Sequence, residues 1–434
     1  MKSRSVIIIV LVQVAATTVL LAAYLLVWRA PAGQQAGTTA PNVAGQALGA
    51  FRATPPPTQA MYRGNPGRTG FYDSAEIQAI HGVKWEIGRY GTVTTAPVVA
   101  GKTVYFGSMG GAGDIVGVDT STGRQVFAFK ARFTDGAAPA DIPTIMNGTL
   151  FFGGNQLVAL DAQSAAVKWT YQAGAEAPVL AADGAVFFTS KQNLYAIDAA
   201  TGTLRWTYPA NADELTAPAL GEGLVFLGGG GSYDVRAGHE FVAVDGNSGR
   251  EAWRLSLPAP VSASPAVSDG VVFFPTTRID RSGGGDPRFP ANDTVTGTLH
   301  AVDVRTGAEL WKFETAAILD KPVAVAGNLV FLDNKSEPPA ATPADHTGCV
   351  RALDARTGAV RWELETGAPS TPPSVAGSLV YLAAAGSGPA QLLALDAATG
   401  MQKWSYPVDE LSVKDLTIYD GVIYLAGDKL HALY

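Results

Sequence analysis

Side chains that could take part in chemistry are concentrated in three long polar segments of the chain, at residues 228–239, 275–296 and 333–348. Arginines mixed with acids and aromatic side chains are typical of protein interfaces. Asp320 and Lys321, an acid and a base that are adjacent in the sequence, are assigned to the same predicted surface. The residues of this predicted partner-binding face are Tyr233, Arg236, Arg278, Arg281, Arg288, Phe289, Asp320 and Lys321.

Three aspartates of the second segment are candidate metal ligands. Asp280, Asp286 and Asp293 could offer carboxylate oxygens to Ca²⁺, although their spacing matches no standard calcium loop. A solvated polar loop is the favoured interpretation of these residues, and the calcium site is the alternative.

The other reactive side chains form no recognisable catalytic set. The sequence shows no Ser–His–Asp arrangement, no HExxH metal motif and no phosphate-binding loop. Cys349 is the only cysteine, so the chain cannot form an internal disulfide or a thiolate metal cluster. We therefore expect no catalytic residue and no bound cofactor or metal. The five histidines are scattered, and His300 and His431 occupy what reads as an exposed position of a repeat.

A repeated pair of strands must position these segments. The pattern apolar-x-Ala-apolar-Asp, then usually Gly and an aromatic residue, recurs seven times, and the aromatic residue always follows the aspartate by eight positions. Each copy predicts two strands joined by a tight turn. Ala165 replaces the glycine once, which predicts a slightly strained turn there. The aspartates are Asp119, Asp161, Asp198, Asp245, Asp303, Asp354 and Asp396, and the aromatic residues are Phe127, Trp169, Trp206, Trp253, Trp311, Trp362 and Trp404.

A second block, with a conserved spacing of proline, apolar residues and glycine, precedes each copy and occurs eight times. The missing eighth unit is split between the chain ends, because residues 429–434 match its first strand and Trp85 matches its outer strand. The sequence thus predicts an all-β fold, an eight-bladed β-propeller of four-stranded blades closed between its N- and C-terminal strands. Asp320 and Lys321 begin an inner strand and should reach the axial channel.

The tryptophans are interpreted as structural. Seven of the eight, including Trp85, fall at one position of the repeat, and Phe127 takes the remaining place. Side chains that recur in phase are expected to pack one blade against the next, each burying on the order of 150–250 Å².

The repeat resembles the quinoprotein-like (PQQ-repeat) β-propeller family, whose blades carry an AxDxxTGxxxW signature. The resemblance covers about residues 61–434, and Met61–Gly70 is similar to the MFRGNPxxTG segment that precedes many such propellers. By this resemblance, Arg63 and Asn65 tie the incoming segment to the propeller. A solvated turn is the alternative.

Two kinds of function follow from the resemblance. One is dehydrogenation with pyrroloquinoline quinone (PQQ) and Ca²⁺; the other is binding, as in the propeller scaffold of the bacterial outer-membrane β-barrel assembly machinery. This chain departs from the enzymes because it has no vicinal cysteines, no CxxCH and no spare tryptophan to stack on a quinone. It departs from the lipoprotein scaffolds because no cysteine follows its N-terminal apolar run. A non-catalytic scaffold is favoured, and a minimal PQQ- and Ca²⁺-dependent alcohol or sugar dehydrogenase is the alternative.

The N-terminal region predicts a membrane anchor. Residues 6–28 are uncharged and long enough as a helix to cross a bilayer, and Lys2 and Arg4 precede them. We expect an anchor with a short cytoplasmic tail over 1–29, an Ala/Gly/Pro-rich flexible linker over 30–59, and an extracytoplasmic propeller over 60–434. A cleaved signal peptide with a secreted product is the alternative.

Charge and composition indicate the class of partner. The formal net charge of −7 argues against a nucleic-acid partner. We expect a monomeric propeller that binds a protein or a cell-envelope polymer, and that meets the membrane only through its N-terminal helix.

Overall fold

The computed structural model describes residues 59–88, 92–93, 95–109, 115–130, 142–210, 212, 214–230, 239–280, 294–335, 347–369, 371–385, 390–408 and 413–434. In these ranges the chain forms strands and turns and contains no helix. No helix of the described ranges is therefore long and apolar enough to cross a membrane. The anchor predicted over 1–29 and the linker lie outside the described residues, apart from Gln59.

The strands form eight blades. Two strands, β1 (Gln59–Ala60) and β2 (Val83–Ile87), precede blade 1. Blade 1 contains β3 (Thr92–Val93), β4 (Val98–Ala100), β5 (Thr103–Met109), β6 (Ile115–Asp119) and β7 (Gln125–Phe129). Blade 2 contains β8 (Thr144–Met146), β9 (Thr149–Phe152), β10 (Leu157–Asp161) and β11 (Val167–Tyr171). Blade 3 contains β12 (Leu180–Ala182), β13 (Ala185–Ser190), β14 (Asn193–Asp198) and β15 (Leu204–Pro209). Blade 4 contains β16 (Glu214–Leu215), β17 (Ala219–Gly221), β18 (Leu224–Gly230), β19 (His239–Asp245) and β20 (Glu251–Leu257).

The second half of the ring repeats this plan. Blade 5 contains β21 (Ala266–Ser268), β22 (Val271–Asp280), β23 (Thr294–Asp303) and β24 (Glu309–Thr315). Blade 6 contains β25 (Ala324–Ala326), β26 (Leu329–Lys335), β27 (Thr347–Asp354) and β28 (Val360–Pro369). Blade 7 contains β29 (Ser374–Ala376), β30 (Leu379–Ala385), β31 (Ala390–Asp396) and β32 (Gln402–Val408). Blade 8 contains β33 (Asp415–Tyr419), β34 (Val422–Ala426) and β35 (Leu430–Leu433), with β2 as its outer strand.

The predicted closure between the chain ends is confirmed. Strand β2 pairs antiparallel with β35, and Trp85 lies opposite Ala432. The blade order β2-β35-β34-β33 therefore combines one N-terminal strand with three C-terminal strands. Closing the ring in this way leaves no blade without a neighbour to cover its faces.

The two ends of the ring differ in their connections. We call turn face the end that carries the tight turns between inner and second strands and between third and outer strands, for example at Asn147 and Gln163. We call loop face the opposite end, where the long second-to-third connections and the blade-to-blade connections lie. The strands reach further toward the loop face than the sequence predicted, since β22 continues to Asp280 and β26 to Lys335.

Each tryptophan of the described propeller joins its blade to the next structural unit. The indole Nε1–H donates to a backbone carbonyl at 2.8–3.1 Å. For six of the seven, this carbonyl belongs to the residue directly after the turn aspartate of the next blade. In these six joints the indole ring covers the glycine of that turn. The donor–acceptor pairs are Trp85–Thr120, Trp169–Ala199, Trp206–Gly246, Trp253–Val304, Trp311–Ala355, Trp362–Ala397 and Trp404–Ile77.

The turn aspartates hold the turns on which the tryptophans rest. In all seven turns one carboxylate oxygen accepts a bond from the backbone amide three residues on, at 2.7–3.0 Å. Two of them also meet an arginine on the following strand. The pKa of Asp198 falls to about 2, first because Arg205 donates to it, and that of Asp354 falls to about 2, first because of Arg361.

Candidate functional site

The segment at residues 59–72, which we call the lead-in segment, fills the centre of the ring. Its backbone carbonyls accept hydrogen bonds from the inner strands of four consecutive blades. The amide–carbonyl pairs are Leu220–Pro66 at 2.8 Å, Val267–Gly67 at 2.7 Å, Val325–Thr69 at 2.7 Å and Val375–Gly70 at 2.8 Å. A segment composed largely of turns thus satisfies amides that would otherwise line an open axis.

Two arginines of the lead-in segment are completely buried. Arg68 donates through Nε to the carbonyl of Pro218 at 2.5 Å and through Nη2 to that of Pro178 at 2.6 Å. Arg63 donates through Nη2 to the carbonyl of Val323 at 2.9 Å. These contacts link blades 3, 4 and 6. Such buried cations cost solvation free energy that the carbonyl bonds must offset.

Asn65 has a different role from Arg63. Its amide donates to the hydroxyl of Thr69 at 2.6 Å, and its carbonyl oxygen accepts the backbone N–H of Thr69 at 3.3 Å. Asn65 therefore shapes the lead-in segment internally, whereas Arg63 and Arg68 bind it to the blades. The sequence did not single out Arg68, although an arginine next to Thr69-Gly70 belongs to the same motif.

A buried acid lies beside the lead-in segment at the start of blade 8. Asp415 accepts the backbone N–H of Leu416 at 2.8 Å and a hydrogen bond from Tyr62. Burial raises the pKa of Asp415 to about 6, although the Arg63 guanidinium lowers it in part. Burial also raises the pKa of Tyr62 above its usual range. The carboxyl of Asp415 is thus hydrogen-bonded to groups of the chain itself.

Lys321, one of the predicted axial residues, forms a buried ion pair in blade 6. Its ammonium lies 3.2 Å from a carboxylate oxygen of Asp333 on β26. Burial raises the pKa of Asp333, and the positive charge of Lys321 partly offsets this rise. Asp320, predicted as the acidic member of the pair, is exposed to solvent. The sequence missed Asp333 because it lies on β26, whereas Lys321 precedes β25.

The predicted partner-binding face is described only in part. Arg278 lies on β22 and forms an ion pair with Asp280 of the same strand at 2.8 Å. This pair engages one of the three aspartates considered as calcium ligands. Within the described ranges, no group of three His, Cys, Asp or Glu side chains could hold a metal ion. The predicted residues Tyr233, Arg236, Arg281, Asp286, Arg288, Phe289 and Asp293 lie outside the described residues.

The exposure predicted for two histidines was wrong. His300 and His431 are only 6% and 7% exposed. His300 stacks on Phe274 with ring centroids 4.9 Å apart and lies 3.1 Å from the hydroxyl of Thr276. Burial lowers the pKa of His300, although Glu309 opposes this. His431 lies 3.4 Å from a carboxylate oxygen of Glu86 on the paired strand β2. Both histidines therefore pack within their own blades.

An open cleft of about 480 Å³ lies on the turn face beside the point where the lead-in segment enters the ring. Turns of blades 2, 3 and 4 form its walls through Asn147, Asp183 and Glu222, and Gln59 and Pro66 line it from the lead-in side. None of the residues predicted for partner binding lines this cleft.

The described axis does not fit a quinone with its Ca²⁺ ion. Such a group needs a free aromatic surface and several convergent oxygen ligands. Every propeller tryptophan donates its indole N–H across a joint. The carboxyls of Asp333 and Asp415 are already bonded within the chain, and Arg63 and Arg68 fill the space between the inner strands.

Among the solved structures that share this fold, one is named BamB and another is named as an alcohol dehydrogenase. BamB from Moraxella catarrhalis aligns over 82% of this chain and 99% of its own, with a TM-score of 0.56 and 17% identity. Quinohemoprotein alcohol dehydrogenase from Comamonas testosteroni aligns over 87% of this chain and 80% of its own, with a TM-score of 0.64 and 13% identity. Likeness at these identities shows the fold alone.

One curated relative matches a shorter stretch. The serine/threonine-protein kinase AfsK of Streptomyces coelicolor is 34% identical over 127 residues, which is 29% of this chain. The chain covers 14% of that kinase's length.

The repeat sequence also matches a family model, described as outer membrane protein assembly factor BamB, at residues 111–231, 212–299, 295–385 and 346–433. Overlapping matches are expected where one model meets a series of similar blades. Since the matches together span residues 111–433, the chain belongs to this family of PQQ-repeat propellers.

Proposed function

We propose that this protein is a non-catalytic scaffold, tethered on the outer side of a membrane through residues 6–28, that binds a protein partner with its loop face. The observation that carries the proposal is the filling of the axis by the lead-in segment. Arg63 and Arg68 are fully buried there and bonded to blade carbonyls, so the faces of the ring are the surfaces left for ligands.

The loop face is favoured over the turn face. Its connections after β18, β22 and β26 lie on three consecutive blades and contain most of the arginines and aromatic residues predicted for binding. Interfaces are enriched in these residue types. Arg278 and Lys321 mark the described border of this surface, and a protein fits it better than a polymer because acids and bases alternate there.

The names of two of the relatives support a binding function. The family model and the Moraxella protein are named for outer-membrane protein assembly, whereas the Comamonas protein is named as a dehydrogenase. The dehydrogenase alternative has less support here, because the described tryptophans and buried carboxyls already serve the chain itself.

The proposal is tested by shortening one loop without disturbing its strands. Asp280 and Thr294 are paired across β22 and β23, so an Asn-Gly turn can replace residues 281–293. Full-length protein is purified from detergent-solubilised membranes, and the co-purified proteins are quantified. We expect this loop variant to lose at least tenfold of a specific co-purified protein.

Arg124→Ala is the matched control, since Arg124 is exposed on the turn face. It should retain that partner at the level of the unaltered protein. If the loop variant captured as much of this partner as the unaltered protein does, the proposal that the loop face binds the partner would be contradicted. Saturable binding of PQQ with Ca²⁺, together with dye reduction by alcohols or aldoses, would contradict the non-catalytic role.

A further inference from the structure

The cleft on the turn face lies where the lead-in segment passes blade 3. On one side of the cleft the segment pairs with blade 2 through β1, and on the other side the amide of Leu220 in blade 4 donates to the carbonyl of Pro66. In blade 3, between them, it is the side chain of Gln59 that reaches the inner strand, where its Nε2 donates to the carbonyl of Ala181 at 2.7 Å. The longer reach of a side chain leaves room beside blade 3.

The lining of this turn-face cleft combines apolar and polar groups. Met146 and Ala182 contribute buried apolar side chains, whereas Asn147, Asp183 and Glu222 are exposed to solvent. The volume of about 480 Å³ is typical of sites that bind small molecules or single side chains. The cleft can therefore take a side chain that has an apolar stem and a polar end.

One carboxylate of the cleft has no partner among the described residues. Glu222 accepts a bond from Arg305 at 2.7 Å, and Arg205, which borders the cleft, is paired with Asp198 at 2.7 Å. Asp183, by contrast, forms neither a hydrogen bond nor an ion pair with any part of the chain that the structure describes. The cleft thus keeps a negative charge that no described cation balances.

The turns around the cleft carry the same sign of charge. The turns between inner and second strands begin with an acid in four blades, at Asp183, Glu222, Asp269 and Asp420. The corresponding turn of blade 1 carries Lys102. A protein segment with basic side chains is therefore attracted to the centre of the turn face.

We infer that the turn-face cleft binds a basic side chain, arginine or lysine, of a protein partner, with Asp183 as the anchor of its charged group. Such a group carries only hydrogen-bond donors, and the cleft offers the carboxylate of Asp183 and the amide oxygens of Asn147 and Gln59. The aliphatic stem can pack on Met146 and Ala182. The inference goes beyond the proposed function, because it assigns a second binding surface at the end of the ring opposite the loop face.

Three single variants of the full-length protein test the anchor. Asp183→Asn removes the charge and keeps a residue type that suits the φ of +50° at this turn. Asp269→Asn is the matched control, since Asp269 begins the same turn of blade 5 with a φ of +49° and stands outside the described lining of the cleft. Asn147→Asp adds a carboxylate to the cleft at a turn position that also suits aspartate.

The probe is a short fluorescent peptide with one arginine between glycines. Its binding to detergent-solubilised protein is followed by fluorescence anisotropy at low ionic strength, where charge interactions are least screened. The same peptide with glutamine in place of arginine measures the binding that does not depend on charge.

We expect Asp183→Asn to weaken binding of the arginine peptide about tenfold, because a charge-assisted bond is lost, and Asn147→Asp to strengthen it about threefold. Asp269→Asn should change the dissociation constant by less than about twofold. Equal weakening by Asp183→Asn and Asp269→Asn would overturn the cleft as the site, since it would show general attraction to an acidic surface. Equal binding of the glutamine peptide, or no saturable binding of the arginine peptide, would overturn a site for basic side chains.

The variant that lacks residues 281–293 separates this inference from the proposed function. It should bind the arginine peptide as the unaltered protein does, because the shortened loop joins β22 and β23 on the loop face. Loss of the peptide in that variant would place the basic side chain on the loop face and overturn the inference. Retention of the peptide together with retention of the co-purified protein would contradict the proposed function alone.

Discussion

Asp415 is a buried residue whose charge state changes in the mildly acidic range. Its pKa is raised to about 6 in the folded protein from an ordinary value of 3.8, mainly by burial. Between these two pH values the folded state holds the proton more tightly than the unfolded chain does. Asp415 therefore raises the free energy of unfolding at low pH. This contribution is lost as pH rises from about 4 to 6.

Asp415→Asn should remove this dependence. The amide oxygen can still accept the bonds from Leu416 and Tyr62, but it cannot ionise. Relative to the original protein, we expect the variant to gain up to about 3 kcal/mol in unfolding free energy between pH 4 and pH 7. Urea unfolding at both pH values measures this difference. A constant difference between the two proteins would show that the carboxyl is not buried as described.

Joints between blades are the repeating element of this fold, and one joint departs from the others. At the six turns where a tryptophan covers a glycine, a Cβ on that glycine would come within 2.6–2.9 Å of the indole. At the joint between blades 1 and 2, Phe127 replaces the tryptophan and Ala165 replaces the glycine. Ala165 keeps the turn conformation, with a φ of +58°. The smaller ring leaves room for the alanine, and the predicted strain consists of this positive φ.

The missing indole N–H at this joint is replaced by a neighbour. The hydroxyl of Tyr105 donates to the carbonyl of Ala162 at 3.1 Å, at the place that a tryptophan would occupy as donor. Tyr105 also packs edge-on against Phe127, with ring centroids 5.5 Å apart. The joint thus keeps one bond and one aromatic contact through a different pair of residues.

A double-mutant cycle tests this exchange. Phe127→Trp alone should destabilise the protein by about 1–3 kcal/mol, since the larger ring meets the Cβ of Ala165. Adding Ala165→Gly should recover most of that loss, because the other joints combine these two residue types. Urea midpoints of the original, both single variants and the double variant measure the coupling. Additive effects would contradict the steric link.

The lead-in segment is the other element on which the ring depends. It pairs with blade 2 through β1, donates to blades 3, 4 and 6 through its arginines, and accepts bonds from blades 4 to 7. The following residues continue this role, since the carbonyl of Ile77 accepts the indole N–H of Trp404 in place of a turn in blade 8. A short segment therefore links blades that do not touch one another.

Closure of the ring is a property of the whole molecule. Trp85 stands on β2 and docks on blade 1, so it links the strand that completes blade 8 to the first blade of the chain. Trp206 makes the same contact between two consecutive blades and is equally buried, each being 9% exposed. The two residues differ only in whether their joint closes the ring.

Trp85→Ala and Trp206→Ala should each lower the unfolding free energy by about 3–5 kcal/mol, the usual loss for a truncated buried tryptophan. They should differ in local opening, because only Trp85 holds β2 at the ring closure. Hydrogen exchange of the β2 amides should become faster in Trp85→Ala and stay unchanged in Trp206→Ala. Equal acceleration in both variants would show that the closure is no weaker than the internal joints.

The fold could be read from the sequence because its evidence is local and repeated. Turn aspartates such as Asp198, the aromatic residue eight positions later and the alternation of the strands recur within each blade. Trp85 and residues 429–434 then reveal the split blade as the two parts missing from that pattern. Each of these contacts joins residues in one blade or in two successive blades. The repeat period in the sequence is therefore sufficient to predict them.

Contacts at the axis required the tertiary structure. Arg63 meets Ser374, which lies 311 positions further along the chain, and Lys321 takes Asp333 rather than its sequence neighbour Asp320 as a partner. His300 and His431 were misjudged for a different reason, since the repeat pattern does not show how much of a side chain its neighbours cover. Ring closure brings Arg63 and Ser374 together, whereas the pair of Lys321 and Asp333 forms within blade 6. Periodicity reports which residues repeat, but not which unique side chains meet where all eight blades converge.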